Sequence, residues 1–166
     1  MELHTERLTL KPLSDCDRTD LIALLTNKAV TATFMVPDCH CEEDENCLFC
    51  SLREMSASDR YYLKGIYLAD RLIGLILDVD ISDDAIEIGW VIHPEHHNHG
   101  YATEAAKCMI QDLFCRGFTR VTAGAFAENA ASFRVMEKLG MRKNSFEEDI
   151  QYRGSLHRCI YYEISR

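Results

Sequence analysis

The chain has 166 residues, 47% of them hydrophobic and 27% charged, with a formal net charge of −9. That length and balance suit one globular domain with a real core. No run approaches the ~18 apolar residues a membrane helix needs, and no basic tail or stripe marks nucleic acid as the main partner.

The opening MELHTERLTLK lacks the charged-then-apolar pattern of a signal peptide, so a cytoplasmic protein is expected, with its eight cysteines as thiols. The segment from Leu8 to Leu13 alternates apolar and polar residues, as a half-buried strand ending at Pro12 would. Ser14-x-x-Asp17 then caps a helix whose apolar stripe is Leu21, Leu24 and Leu25. Residues 28–36 resist assignment; Phe34, Met35 and Val36 read as core, with the nearby backbone beside a cleft. A loop over 37–41 leads to a helix from Glu42 to Met55, acidic in its first turn and turning Leu48, Leu52 and Met55 inward.

Cys39, Cys41, Cys47 and Cys50 cluster around His40. Zinc accepts such ligands, but the Cys-x-Cys half is not the usual knuckle, so free thiols and no metal are expected. Two strands follow, Tyr61 to Ala69 and Leu72 to Asp80, joined by a tight hairpin at Asp70-Arg71. After a polar turn over 81–84 comes a central strand, Ala85 to Ile92, in which Gly89 marks a bulge or a close backbone approach.

That strand runs into the loop His97-Asn98-His99-Gly100 and a helix from Gly100 or Tyr101 to about Arg116. Gly100 permits a positive φ, Asn98 tolerates one, and Ala102 leaves room for a ligand. Unpaired amides at a helix start form an anion-binding concavity, so a phosphate site is weighed against an ordinary strand-to-helix turn. A strand from Thr119 to Phe126, a helix from Glu128 or Asn129 to about Gly140, and antiparallel strands over 141–151 and 156–165 complete the chain. The order predicts one mixed sheet covered by helices.

Gly100-Tyr101-Ala102-Thr103-Glu104-Ala105, Asn129-x-x-Ser132 and Glu137-Lys138-Leu139-Gly140-Met141 resemble motifs of the GCN5-related N-acetyltransferase (GNAT) family. Together with Thr5-Glu6-Arg7-Leu8-Thr9-Leu10, they most resemble the branch typified by ribosomal-protein N-terminal acetyltransferases. The resemblance spans nearly the whole chain. It implies one α/β domain, residues 1–166, with a mixed, mostly antiparallel sheet of about seven strands and about four helices. It also implies acetyl-CoA as co-substrate and a primary amine as acceptor, first a peptide N-terminus and next a small amine, in a monomer or homodimer.

What the resemblance implies for single residues comes on top of the loop chemistry. The amides of His97, Asn98, His99, Gly100 and Tyr101 would hold the pyrophosphate beside Ala102, with His97 replacing the family's usual Gln or Arg. The backbone of Gly89, Trp90, Val91 and Ile92 would bond the pantetheine arm, and an N–H near Val91 would steady the oxyanion. Asn129 would bind the cysteamine end or simply cap its helix. Arg134 and Lys138 would reach the adenosine phosphate or face water. Glu87 would be the base. Where many members carry a Tyr acid this chain has Met136, and Ser132 is the substitute. Two rival readings are a non-catalytic CoA-binding module and a zinc-dependent interaction protein built on the four clustered cysteines.

Overall fold

The structure, a computed structural model, describes residues 2–166. Eight strands form one sheet in the order β1-β2-β3-β4-β5-β6-β8-β7. They are β1 (Leu3–His4), β2 (Leu8–Lys11), β3 (Lys64–Leu68), β4 (Arg71–Ser82), β5 (Ala85–Ile92), β6 (Arg120–Phe126), β7 (Arg142–Tyr152) and β8 (Ser155–Ser165). Five α-helices accompany them: α1 (Arg18–Leu25), α2 (Lys28–Thr31), α3 (Glu42–Ala57), α4 (Tyr101–Cys115) and α5 (Ala130–Lys138). The expected seven strands and four helices become eight and five through the two-residue β1 and the one-turn α2. Both are too short for hydrophobic periodicity to reveal.

Boundaries moved where tertiary pairing overrode local pattern. β3 starts at Lys64 rather than Tyr61, and β4 runs on through Ser82 because Ile81 and Ser82 pair with Ile86 and Ala85. The polar turn shrinks to Asp83-Asp84, with Asp83 left-handed at φ 53. Gly89 carries no bulge. The ladder irregularity lies on the partner strand, between Asp78 and Asp80, which leaves Val79 as the extra residue.

Side chains alternate across the sheet and build a core on each face. On one face Ile66, Ile73, Ile76, Ile86, Ile88, Val121 and Ala123 pack with Ala105, Met109 and Leu113 of α4 and Met136 of α5. On the other, Leu63, Tyr67, Leu72, Leu75 and Val91 pack with Leu21, Leu24 and Leu25 of α1 and Phe49 of α3. Asp17 accepts a 2.6 Å bond from the Ser14 amide and a 2.7 Å bond from the buried Tyr67 hydroxyl. The expected cap thus also gives a core phenol its partner, which a buried hydroxyl requires.

The decisive feature lies between β5 and β6, the one parallel pair in the ladder. They pair only at Ala85–Arg120, Ile86–Val121 and Glu87–Thr122. Beyond Glu87 the strands part, while β5 stays bonded to β4 and β6 to β8. The sheet opens there, and the opening is the site.

Candidate active site

The gap between β5 and β6 continues into a cleft of about 760 Å³ that passes from one face of the sheet to the other. On the α4/α5 face it is lined by the 96–103 loop and helix start, Asn129, Ser132, Arg134 and Lys138. On the α1–α3 face it is lined by Phe34, Met35, Leu77, Val79, Glu87, Glu148 and Tyr161. Every site residue foreseen in the sequence lines it, except that His99 stands behind the loop.

The loop after β5 is built as its residue types dictate. Pro94 starts a short 3₁₀ turn through His96, and Asn98 and Gly100 take left-handed φ values of 63 and 82. Gly100 at the N-cap lets α4 begin abruptly, and the first amides of α4 have no intrahelical partner. The N-terminal segment fastens this start. Arg7 pairs with Glu104 at 2.6 Å, bonds the His99 carbonyl at 3.0 Å and lies over the Tyr101 ring at 4.7 Å. Thr5 adds a 2.6 Å hydroxyl bond to Glu104. These bonds hold the Glu104 carboxyl below its usual range, although its burial opposes the shift. The Thr5-Glu6-Arg7 stretch, legible in the sequence only as part of a family-like motif, is thus also the loop's brace.

The His97 ring is turned to protein: its Nε2 bonds the Ile92 carbonyl at 2.8 Å and ties the loop to the end of β5. His99 bonds the His97 carbonyl through Nδ1 at 2.8 Å and stacks on Tyr101. Burial, with Arg71 and His93 nearby, lowers the His96 pKa and keeps that ring neutral. The loop's capacity for an anion therefore lies in its backbone amides.

Along β5, the His93 N–H donates to the Ile73 carbonyl at 2.8 Å. Bonded pairs alternate in an antiparallel ladder, so Val91 and Gly89 also turn to β4, and Trp90 and Ile92 turn their N–H groups into the gap. Of the four residues foreseen to meet a pantetheine arm by their backbone, Trp90 and Ile92 face the opening, whereas Gly89 and Val91 turn their amides to β4. Val91 buries its side chain in the other core and spends its amide on β4.

Asn129 is the N-cap of α5, its Oδ1 accepting from the Ser132 amide at 3.1 Å. Its amide NH₂ faces the cleft with no protein partner among the described residues, so capping and ligand binding are compatible. Met136 is buried at 1% exposure and offers no proton.

Glu87 stands at the last β5–β6 pair, where the opening begins. Burial, then the Asp80 and Glu148 carboxylates, push its pKa up to about 7. Glu148 reaches in from β7, accepting a 2.5 Å bond from the Tyr161 hydroxyl. Burial and that bond raise the Tyr161 pKa, so the phenol stays protonated. Tyr161 lies over Gly124, where a Cβ would sit 2.6 Å from its ring. The Glu148–Tyr161 pair escaped the sequence reading because only the β6–β8 register sets Tyr161 against Gly124.

The four clustered cysteines do not converge. Cys41, Cys47 and Cys50 are exposed, and among the described residues no group of three or more His, Cys, Asp or Glu is placed to hold a metal. Nor is any helix among them long and apolar enough to cross a membrane.

The cleft is electrically divided. Arg134 and Lys138 lie toward one face with the free α4 amides, and Glu87 and Glu148 toward the other. An extended anionic ligand threading the gap toward a cationic one fits this division. Comparison with known proteins agrees. Residues 7–142 match the family model described as an acetyltransferase (GNAT) domain. In Bacillus subtilis (strain 168), the uncharacterized N-acetyltransferase YoaA is 28% identical over 155 residues, 90% of this chain and 88% of YoaA. YnaD, another N-acetyltransferase of that strain, is 40% identical over 79 residues, 46% of each chain, so the match spans about half of YnaD's length. The crystal structure of a GNAT-family acetyltransferase from Bacillus anthracis superposes with a TM-score of 0.84 at 26% identity, covering 99% of this chain and 98% of that one. The ribosomal L7/L12 α-N-protein acetyltransferase RimL, in complex with coenzyme A, shares the fold with a TM-score of 0.84 at 16% identity, covering 99% and 98%. The chain thus belongs to the GNAT family of acetyl-CoA-dependent acetyltransferases.

Proposed function

We propose that this protein transfers an acetyl group directly to a primary amine, first the α-amino group of a peptide or protein, with Glu87 as general base. The observation that carries the reading is the place of Glu87. It stands where the sheet opens, with a carboxyl pushed up to about 7, which suits a base working near neutral pH.

Bound acetyl-CoA supplies an activated thioester. The α4 amides and Asn129 would hold it, with Arg134 and Lys138 near its phosphates. Glu87 takes one proton from the acceptor's ammonium, which frees the nitrogen lone pair to attack the carbonyl carbon. The Trp90 and Ile92 N–H groups face the gap and serve as donors to the developing oxyanion. As the carbon–sulfur bond breaks, the sulfur leaves with the electron pair. The second nitrogen proton returns to it through Ser132 and water, since Met136 donates nothing.

A specific observation, the burial of Met136 in the usual place of the acid, favours the alternative of a non-catalytic CoA-binding module. Thiol release from acetyl-CoA against N-terminal peptides and small amines separates the two. Direct transfer with Glu87 as base predicts turnover that falls at least about a hundredfold in Glu87→Gln. Tight acetyl-CoA binding without turnover on any amine would favour the module.

A further inference from the structure

We infer that the acceptor is a primary amine carrying an apolar group close to its nitrogen, seated against Gly89, Val79, Leu77 and Phe34. The inference rests on Glu87 as the place of the reacting nitrogen and adds what lies beside it.

Gly89 is two residues beyond Glu87 on β5, so the two positions share a face, about 6.5 Å apart. A Cβ built on Gly89 would stand 3.2 Å from Val79 Cγ2 and 3.9 Å from both Leu77 Cδ2 and Phe34 Cε2. Three hydrocarbon side chains from two segments therefore converge over a residue with no side chain. The apolar wall therefore lies on the same face as Glu87 and one side-chain position along the strand, within reach of a side chain on an amine held at Glu87.

The walls are built for contact. Val79 is the extra residue of the β4 bulge and is 56% exposed, although it is β-branched and apolar. Bulges beside active sites re-aim side chains, and this one aims Val79 into the cleft. Met35 lies beside it, 51% exposed. Phe34 is pinned, because the Tyr152 hydroxyl donates to its carbonyl at 3.2 Å and accepts from the Val36 amide at 3.3 Å.

Charge sets the remaining limits. Glu87 and Glu148 face this half of the cleft, while the cationic lining side chains, Arg134 and Lys138, lie toward the other face. A monocation flanked by hydrocarbon complements that arrangement. A free amino acid would set its carboxylate against Glu148 with no cation to answer it. A polyamine or a hydroxyl-rich amine would set polar groups against Val79, Leu77 and Phe34, where nothing bonds them.

The test measures thiol release by the full chain with dipeptide amides starting with Leu, Phe, Ser, Asp or Gly, with isoamylamine and with free leucine. In parallel, binding of the Leu and Ser dipeptide amides to the CoA-saturated protein is followed by calorimetry. The inference expects kcat/KM at least tenfold higher for Leu and Phe than for Ser or Asp, with free leucine poor. In Val79→Ser, which adds no charge near Glu87, that ratio falls below threefold, while acetyl-CoA affinity, set at the other half of the cleft, persists. Phe34→Ala lowers the ratio by the same route. The dipeptide and isoamylamine arms separate a peptide from a small-amine source. Equal rates on apolar and polar acceptors, or a preference untouched by both variants, would overturn the inference. Selective binding of the Leu amide without turnover would keep it and remove the base reading instead; no turnover and no selective binding would overturn it.

Discussion

Replacing Glu87 by Gln separates stability from activity in a way fixed by pH. The native carboxyl is raised from 4.5 to about 7 because burial, Asp80 and Glu148 all penalise its charged form. A raised acid stabilises the fold fully below its unfolded pKa, and that contribution is lost as pH rises through the folded value. At pH 5 the folded side chain is neutral while the unfolded one, with its ordinary pKa of 4.5, is already mostly ionised, so Gln gains only about a quarter of the full difference there. Above pH 8 the folded protein holds a charge that it disfavours. The interval corresponds to about 3.4 kcal/mol at most, and partial solvent access reduces it to about 2 kcal/mol. For a domain of this size, that raises the melting temperature of the variant by roughly 4–8 °C. Thermal unfolding of both proteins at pH 5 and pH 8.5, with thiol release measured alongside, reads the effect. The expected result is a small gain at pH 5, a gain several times larger at pH 8.5, and turnover down at least about a hundredfold. A gain of equal size at both pH values, or none at either, would refute the placement of a destabilised carboxylate at the β5–β6 opening.

In the wild type, kcat/KM should rise with pH through about 7, because the base must be ionised; Asp80→Asn should move that limb to lower pH by removing one of the charges that raise Glu87. Arg7→Ala removes the brace on α4 and should weaken acetyl-CoA binding about two- to fivefold by calorimetry, with kcat nearly unchanged. Asn129→Asp keeps an oxygen for the Ser132 amide but loses the NH₂ donor, so it should preserve the melting temperature and lower acetyl-CoA affinity; Asn129→Ala should also cost about 1 kcal/mol of stability. Gly124→Ala places a methyl group 2.6 Å from the Tyr161 ring and should destabilise by about 1–3 kcal/mol while parting Tyr161 from Glu148, seen as a loss of melting temperature.

What was legible in the sequence follows from how local each cause is. The bounds of β5 read correctly because its apolar run ends at a proline-started turn, and α4 read to within a residue because Gly100 and Gly117 bracket a helical period. The place of Glu87 beside the opening was legible because it depends only on position along β5. The role of His97 was not legible, because whether a loop imidazole faces a ligand or the Ile92 carbonyl depends on the fold of the turn. The direction of the Val91 amide depends on strand phase, which pairing with β4 sets and residue types do not. The Glu148–Tyr161 pair lay deeper still, since it needs the β6–β8 register and the β7–β8 hairpin together. The division is physical: the half of the cleft proposed to hold the phosphates is built mostly from one continuous strand–loop–helix, with α5 beside it, whereas the half proposed for the acceptor is assembled from the 33–36 segment, β4, β5, β7 and β8. A family motif can reside in the first half because its parts are neighbours in sequence. The proposed acceptor preference resides in the second, where Phe34, Val79 and Glu148 line one cleft only after folding, and on that proposal substitutions there redirect the enzyme without disturbing its hold on acetyl-CoA.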